Sequence, residues 1–203
     1  MNLSLIDYGT GNVASVERAL QRLGAESQRA ATRECIENAE ALLLPGVGHF
    51  AALIRALEER ALRGPLLETL ERGVPFLGIC LGLQALYDSS EEAPDLHGLQ
   101  LLRGQIRALP SSVKLPHMGW NQVRTARSSR LLEGIAPEAY FYFAHSYAAL
   151  AEKESPDTVA TCTHGAEFVA VLERGNVFAV QFHPEKSGFA GARLLQNFLR
   201  LAT

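Results

Sequence analysis

The stretch VPFLGICLGLQ, residues 74–84, sets a short apolar run against a cysteine standing between two glycines. Residues 74–79 are apolar at successive positions and follow Gly73, which reads as a strand buried on both faces. Past Cys80 the spacing changes, and Leu81, Leu83, Ala85 and Leu86 begin the apolar face of a helix. Strand, sharp turn and helix are therefore expected here, with Cys80 at the turn.

Working outward, the same alternation recurs upstream. Residues 41–44, ALLL, form a second buried strand that ends at Pro45-Gly46-Val47-Gly48, and residues 3–6, LSLI, form another that ends at Asp7-Tyr8-Gly9-Thr10-Gly11. Asn12 is placed to cap a helix with Val13, Val16, Ala19, Leu20 and Leu23 on one face, closed by Gly24. Helical patterns over 49–60 and 65–72 fill the remaining gaps. Apolar strands alternating with helices predict a parallel sheet covered on both sides.

Downstream, residues 99–102 with 105–109, 140–144, 158–161, 168–172 and 177–182 are strand-like. Short loops such as Glu173-Arg174-Gly175-Asn176 point to antiparallel pairing. A last helix over 188–201 turns Leu194, Leu195, Phe198 and Leu199 inward, and SSEEAP, residues 89–94, reads as a loop. The expected fold is an α/β three-layer sandwich with a mainly parallel central sheet, helices on both faces and an antiparallel-rich second half. A chain of this length is expected to be a single domain over 1–203.

Composition narrows the function classes. Of 203 residues, 47% are apolar and 20% charged, with a net charge of -3 and no block of like charge, which argues against nucleic-acid binding and against disorder. The N-terminus lacks a basic leader, and no run reaches the ~18 apolar residues of a membrane helix, so a cytoplasmic protein without membrane contact is expected. Cys35, Cys80 and Cys162 lie far apart with no C-x-x-C pair, so neither a disulfide framework nor a zinc site is expected.

Cys80 itself admits two readings, an inert buried thiol or a nucleophile. Gly78 and Gly82 flank it at the small-residue spacing of a nucleophile elbow, where a tight strand-to-helix turn leaves no room for side chains. A thiol nucleophile needs a base, and the base needs an orienting group. QFHPEKS, residues 181–187, offers His183 at the end of an apolar run, with Glu185 near enough to bond its second nitrogen; a surface His-Pro-Glu turn is the alternative. The amides of Leu81, just after the cysteine, and Val47, in its glycine-rich turn, are candidate oxyanion donors. A phosphate-binding loop competes weakly there, since no G-x-x-x-x-G-K-[ST] or G-x-G-x-x-G pattern is present.

At their order and spacing, PGVG, GICLGLQ and FHPEKS resemble the class I, triad-type glutamine amidotransferases over nearly the whole chain. The resemblance implies thiol attack on the glutamine side-chain amide, release of ammonia and hydrolysis of a glutamyl thioester. It makes Cys80 the nucleophile, His183 the acid–base, Glu185 its orienter, and the amides of Val47 and Leu81 the oxyanion hole. It implies no metal or organic cofactor.

Five stretches, IDYGTGNVASVERAL, LPGVGHF, PHMGWNQV, YFYFAHSY and FHPEKSG, are further similar to the glutaminase branch serving imidazole glycerol phosphate synthases. They fit the tryptophan and guanylate branches less well. That likeness implies a glutamine pocket at Gly46, Gly48, Gln84, His145, Ser146 and Tyr147. It implies a heterodimer whose (β/α)8-barrel cyclase subunit meets Asn12, Trp120, Asn121, Tyr142 and Lys186 and uses the ammonia in histidine biosynthesis. Gln84 also reads as a solvent-facing helix residue, His145 as a satisfied strand histidine, Trp120 as core and Lys186 as a solvated lysine. A stand-alone cysteine hydrolase such as a γ-glutamyl peptidase, or a catalytically silent scaffold, is the competing function.

Overall fold

The computed structural model describes residues 2–9, 12–151 and 155–202. Thr10 and Gly11, read above as part of the turn after the first strand, lie outside them. In chain order the first half runs β1 (Leu3–Ile6), α1 (Val13–Arg22), β2 (Gln28–Ala30), α2 (Arg33–Glu37), β3 (Ala41–Gly46), α3 (Phe50–Glu59), α4 (Arg63–Glu71), β4 (Phe76–Cys80) and α5 (Leu81–Gln84). Strands follow: β5 (Tyr87–Ser90), β6 (Ala93–His97), β7 (Leu102–Ala108), β8 (His117–Gln122), β9 (Arg124–Thr125), β10 (Tyr140–His145), β11 (Tyr147–Ala149), β12 (Thr158–His164), β13 (Ala166–Arg174) and β14 (Val177–Val180). A 3-10 turn, Pro184–Lys186, and α6 (Gly188–Leu201) complete the chain.

The main sheet has eight strands in the order β2-β1-β3-β4-β14-β13-β12-β9. Pairing is parallel from β2 to β14 and antiparallel beyond. The apolar runs at β1, β3 and β4 are buried at every position because they sit mid-sheet. Successive side chains then feed opposite layers. Ala41 and Leu43 pack with Val16 and Leu20 of α1 and with Leu194 and Phe198 of α6, whereas Leu42 and Leu44 pack with α3 and α4 through Leu53, Leu57 and Leu66. The three-layer expectation holds.

Two expectations are corrected. The helix after Cys80 stops at Gln84, because the Ala85 carbonyl accepts from Leu99 N (2.6 Å) and the Leu86 carbonyl from Leu101 N and Leu102 N (both 2.9 Å). Those partners come from a distant part of the chain and draw it into β5. SSEEAP is not a free loop: Ser90 pairs with Ala93, so Glu91 and Glu92 form the tip of the β5–β6 hairpin. The strand-like segments of the second half also split among sheets. A four-stranded sheet, β11-β7-β5-β6, and a two-stranded ribbon, β10-β8, stand apart from the main one.

Candidate active site

β4 delivers Cys80 to the carboxyl end of the sheet and the chain turns sharply there, with Cys80 at φ 56°, ψ -105°. Holding a residue other than glycine in such a conformation costs about 1–3 kcal/mol, so the surroundings must over-determine it. They do so by close backbone approach. A Cβ on Gly82 would lie 2.0 Å from the Leu44 carbonyl oxygen, and one on Gly78 would lie 2.8 Å from the Gly82 carbonyl oxygen. As the first residue of α5, Leu81 has an amide with no partner inside its own helix. With only four residues, α5 carries little macrodipole, so the charge partner for the thiol must come from elsewhere.

It comes from the strand alongside. β14 pairs with β4 in parallel, Val180 beside Ile79, so the chain beyond β14 emerges next to Cys80. His183 is fixed there from both sides of its peptide: its N–H donates to the Tyr142 carbonyl (2.8 Å) and its carbonyl accepts from Ser187 Oγ (2.6 Å). Nδ1 donates to Glu185 Oε1 at 2.9 Å, and both side chains are almost fully buried. The other ring nitrogen faces Cys80. Burial alone would lower the His183 pKa, but hydrogen bonds to Cys80 and Glu185, with their charges, outweigh it and raise the pKa to about 10. These partners favour the imidazolium form of the ring. Asn12 Nδ2 donates to the same Glu185 oxygen at 3.2 Å, and this bond replaces the helix cap expected of it, since the Asn12 side chain makes no capping bond.

A cavity of about 330 Å³ opens over the sulfur. It is lined by Cys80, Leu81, Val47, Gly48, Gln84, His145, Ser146, Tyr147, His183 and Lys186, which the sequence had singled out, and by Glu92, Pro116 and Ala144, which it had not. Gly46 lies beneath the wall, where a Cβ would meet Leu81 Cβ at 2.7 Å. Gln84 is buried rather than solvent-facing, and its Nε2 donates to the Tyr147 carbonyl (2.7 Å) and to Gln181 Oε1 (3.2 Å).

Gln181 is a further residue that sequence reasoning missed. It is fully buried and its Nε2 lies 3.6 Å from Cys80 Sγ; its place two residues before His183 was the available signal. Glu92 was missed because it was read as loop, and its Oε2 accepts from the Phe50 amide at 2.7 Å. Tyr8 lies under the turn, and among the described residues its buried hydroxyl has no hydrogen-bond partner of normal geometry. Burial raises its pKa well above the usual tyrosine value, opposed by the Val47 amide and reinforced by the charge of Cys80, which places the hydroxyl beside both.

At the rim, Trp120 is 55% exposed, which excludes the core reading. Its ring meets Tyr142 edge-on at 6.2 Å, and Lys186 Nζ lies 5.6 Å from the Tyr142 ring centre. Asn121 turns away from the pocket, donating through Nδ2 toward His117 Nε2 and to the Thr163 carbonyl, each at 3.1 Å.

The family model described as "Glutamine amidotransferase class-I" matches residues 4–202. The chain belongs to the class I glutamine amidotransferases. Among the relatives of this amidotransferase, the protein named imidazole glycerol phosphate synthase subunit HisH from Methanothermobacter thermautotrophicus is 46% identical over 199 residues, covering 98% of each chain. The protein of the same name from Deinococcus radiodurans is 45% identical over 198 residues, 97% of this chain and 92% of that one. A crystal structure described as a glutamine amidotransferase superimposes with a TM-score of 0.78 at 20% identity, covering 100% of this chain and 99% of that one. PurLQS from Thermotoga maritima superimposes at 0.77 and 19%, with the same coverage. These two establish the shared fold. Of the other thiols of this amidotransferase, burial pushes Cys162 up to about 12 against the Thr163 amide, and Cys35 lies on the far side of the sheet beside the Thr32 hydroxyl at 3.2 Å.

Proposed function

We propose that the chain is the glutaminase subunit of an imidazole glycerol phosphate synthase and that Cys80, His183 and Glu185 carry the hydrolysis. The observation that carries this reading is the buried His183–Glu185 pair, 2.9 Å apart, set against Cys80 on the floor of the cavity. The thiolate attacks the side-chain carbonyl carbon of glutamine, and the oxyanion is taken by the amide of Leu81 and, once the partner has turned its peptide from Tyr8 toward the cavity, by that of Val47. The imidazolium of His183 gives its proton to the departing nitrogen, ammonia leaves, and a glutamyl thioester remains. Neutral His183 then takes a proton from water, whose oxygen attacks the thioester, and the carbon–sulfur bond breaks to release glutamate and restore the thiolate beside the imidazolium. Glu185 keeps Nδ1 protonated throughout.

Gly46 shapes the oxyanion turn, and Gly48, Gln84, His145, Ser146 and Tyr147 hold the substrate. Glu92 supplies the negative charge that an α-ammonium group needs. Ammonia passes to a (β/α)8-barrel cyclase subunit, which uses it to make imidazole glycerol phosphate and aminoimidazole carboxamide ribotide. That partner docks on the outward face of the β8–β10 ribbon, where Met118, Trp120 and Tyr140 are more than half exposed beside Tyr142, Asn12 and Lys186; Asn121, expected there, has its side chain on the opposite face with His117. The chain works as one domain in the cytoplasm; among the described residues no helix is long and apolar enough to cross a membrane.

Labelling with a glutamine analogue that carries an electrophilic carbon in place of the side-chain amide tests the site. Mass spectrometry should find the label on Cys80 alone, with glutamine protecting. Label on Cys35 or Cys162, or no protection by glutamine, would refute the assignment.

A further inference from the structure

Two buried imidazoles take no part in the proton transfers of the hydrolysis: His145, which lines the pocket, and His117 behind it. His117 and His145 face each other across the β8–β10 ribbon, 5% and 6% exposed, with His117 Nδ1 3.1 Å from His145 Nε2. Their proton positions follow from the outer partners. The Asn121 amide is oriented by two bonds, Oδ1 accepting from Gln122 N (2.8 Å) and Nδ2 donating to the Thr163 carbonyl (3.1 Å). Its Nδ2 is therefore a donor toward His117 Nε2, which must accept. At the other end the Tyr147 carbonyl, which only accepts, lies 2.9 Å from His145 Nδ1, so that nitrogen carries hydrogen. A neutral His145 then accepts at Nε2 from His117 Nδ1, and the chain runs one way, Asn121 to His117 to His145 to Tyr147. Burial holds both rings neutral, lowering the pKa of His117 to about 4 and that of His145 to about 3. The His117 ring is clamped between Phe143 (4.8 Å) and His164 (4.2 Å), both stacked on it.

The far end of this chain is where the substrate is expected. His145 ends β10 and Tyr147 begins β11, so Ser146 is the joint at which the backbone leaves the ribbon for the four-stranded sheet. The Tyr147 carbonyl that anchors His145 also accepts from Gln84, and Gln84 bonds Gln181, whose amide reaches the Cys80 sulfur. We propose that Asn121, His117 and His145 form a one-directional hydrogen-bond relay that holds the Ser146–Tyr147 joint in shape for glutamine, which makes His117 a positioning residue. The identity of the ligand rests on the function proposed above; the relay rests on the bonds themselves.

Two measurements test it on the full chain. Nitrogen-15 NMR of the histidine rings at neutral pH should find both His117 and His145 neutral with hydrogen on Nδ1; an Nε2–H tautomer or an imidazolium at either ring overturns the relay whatever the substrate is. In complex with the cyclase subunit and its nucleotide, His117→Phe keeps a stacked ring and removes both nitrogens, so KM for glutamine should rise about tenfold while kcat stays within about threefold. His117→Gln, which donates and accepts, should recover most of that loss. Unchanged KM in His117→Phe, or no recovery in His117→Gln, overturns the proposal. Should the unaltered chain turn over no glutamine with its partner, the substrate reading fails and the ring tautomers alone decide the relay.

Discussion

At Cys80 the backbone stores strain and the side chain meets an imidazolium. Both features depend on neighbours that single substitutions can remove. Glu185→Gln retains the shape of the side chain but loses the charge that stabilises His183. Its kcat should fall by about 10²–10⁴, and the His183 pKa should drop from about 10 toward the ordinary histidine value, read by ring NMR. Activity within threefold of the parent would remove Glu185 from its orienting role. The Val47 amide presents a different case, since Gly48 holds φ +96° with no atom within 4 Å of where a Cβ would be. Space is free there and backbone strain is not. Gly48→Val should therefore fold, yet confine the Val47 peptide to one orientation, and stimulation of glutaminase by the partner should be lost. Full stimulation in that variant would show that the peptide does not switch.

The elements show which parts of the sequence could be read directly. β1, β3 and β4 were legible because a mid-sheet parallel strand is buried on both faces and so almost wholly apolar, Ser4 of β1 excepted, and α1, α3 and α6 because each buries one face. The elbow and the His183–Glu185 pair were legible because local spacing defines both. What escaped depends on distant partners. Leu83, Ala85 and Leu86 fit a helix until the amides of residues 99, 101 and 102 take the carbonyls of Ala85 and Leu86. β8 buries only His117 of its six residues and contains a glycine at φ +135°, so nothing local marks it as a strand apart from its partner β10. Two glycines separate close packing from open space. Gly82→Ala would drive a Cβ into the Leu44 carbonyl and should destabilise the fold by about 3 kcal/mol or more. Gly64, inside α4 with nothing within 4 Å, should gain about 0.5–1 kcal/mol on change to Ala. Urea unfolding of both variants checks the contrast, and equal effects would contradict it.

Across the whole molecule, the buried histidines give stability a pH optimum. Folded His117 and His145 take up protons only near pH 4 and 3, whereas in the unfolded chain histidines protonate below about 6.5. Between those limits the unfolded state binds more protons, so acidification favours unfolding. His183 acts in the opposite sense. The folded chain keeps its proton to about pH 10 and the unfolded chain loses it above about 6.5, so the stability it confers is full below 6.5 and fades as pH rises to 10. Each group changes stability by at most about 1.4 kcal/mol per pH unit within its window. Urea midpoints should peak near pH 6.5, and the acid limb should be shallower in His117→Phe; an unchanged acid limb would contradict the assignment.

A face of exposed aromatic and thioether side chains adjoins the cavity, and an ammonia-producing site is useful only when an acceptor receives its product. The most direct measurement is glutamate release from glutamine by the purified chain alone, with the cyclase subunit, and with that subunit and its nucleotide. Low release alone, a large rise in the full assembly and none with Cys80→Ala are predicted. Full activity of the isolated chain, or no release under any condition, would contradict a partner-controlled glutaminase built on Cys80.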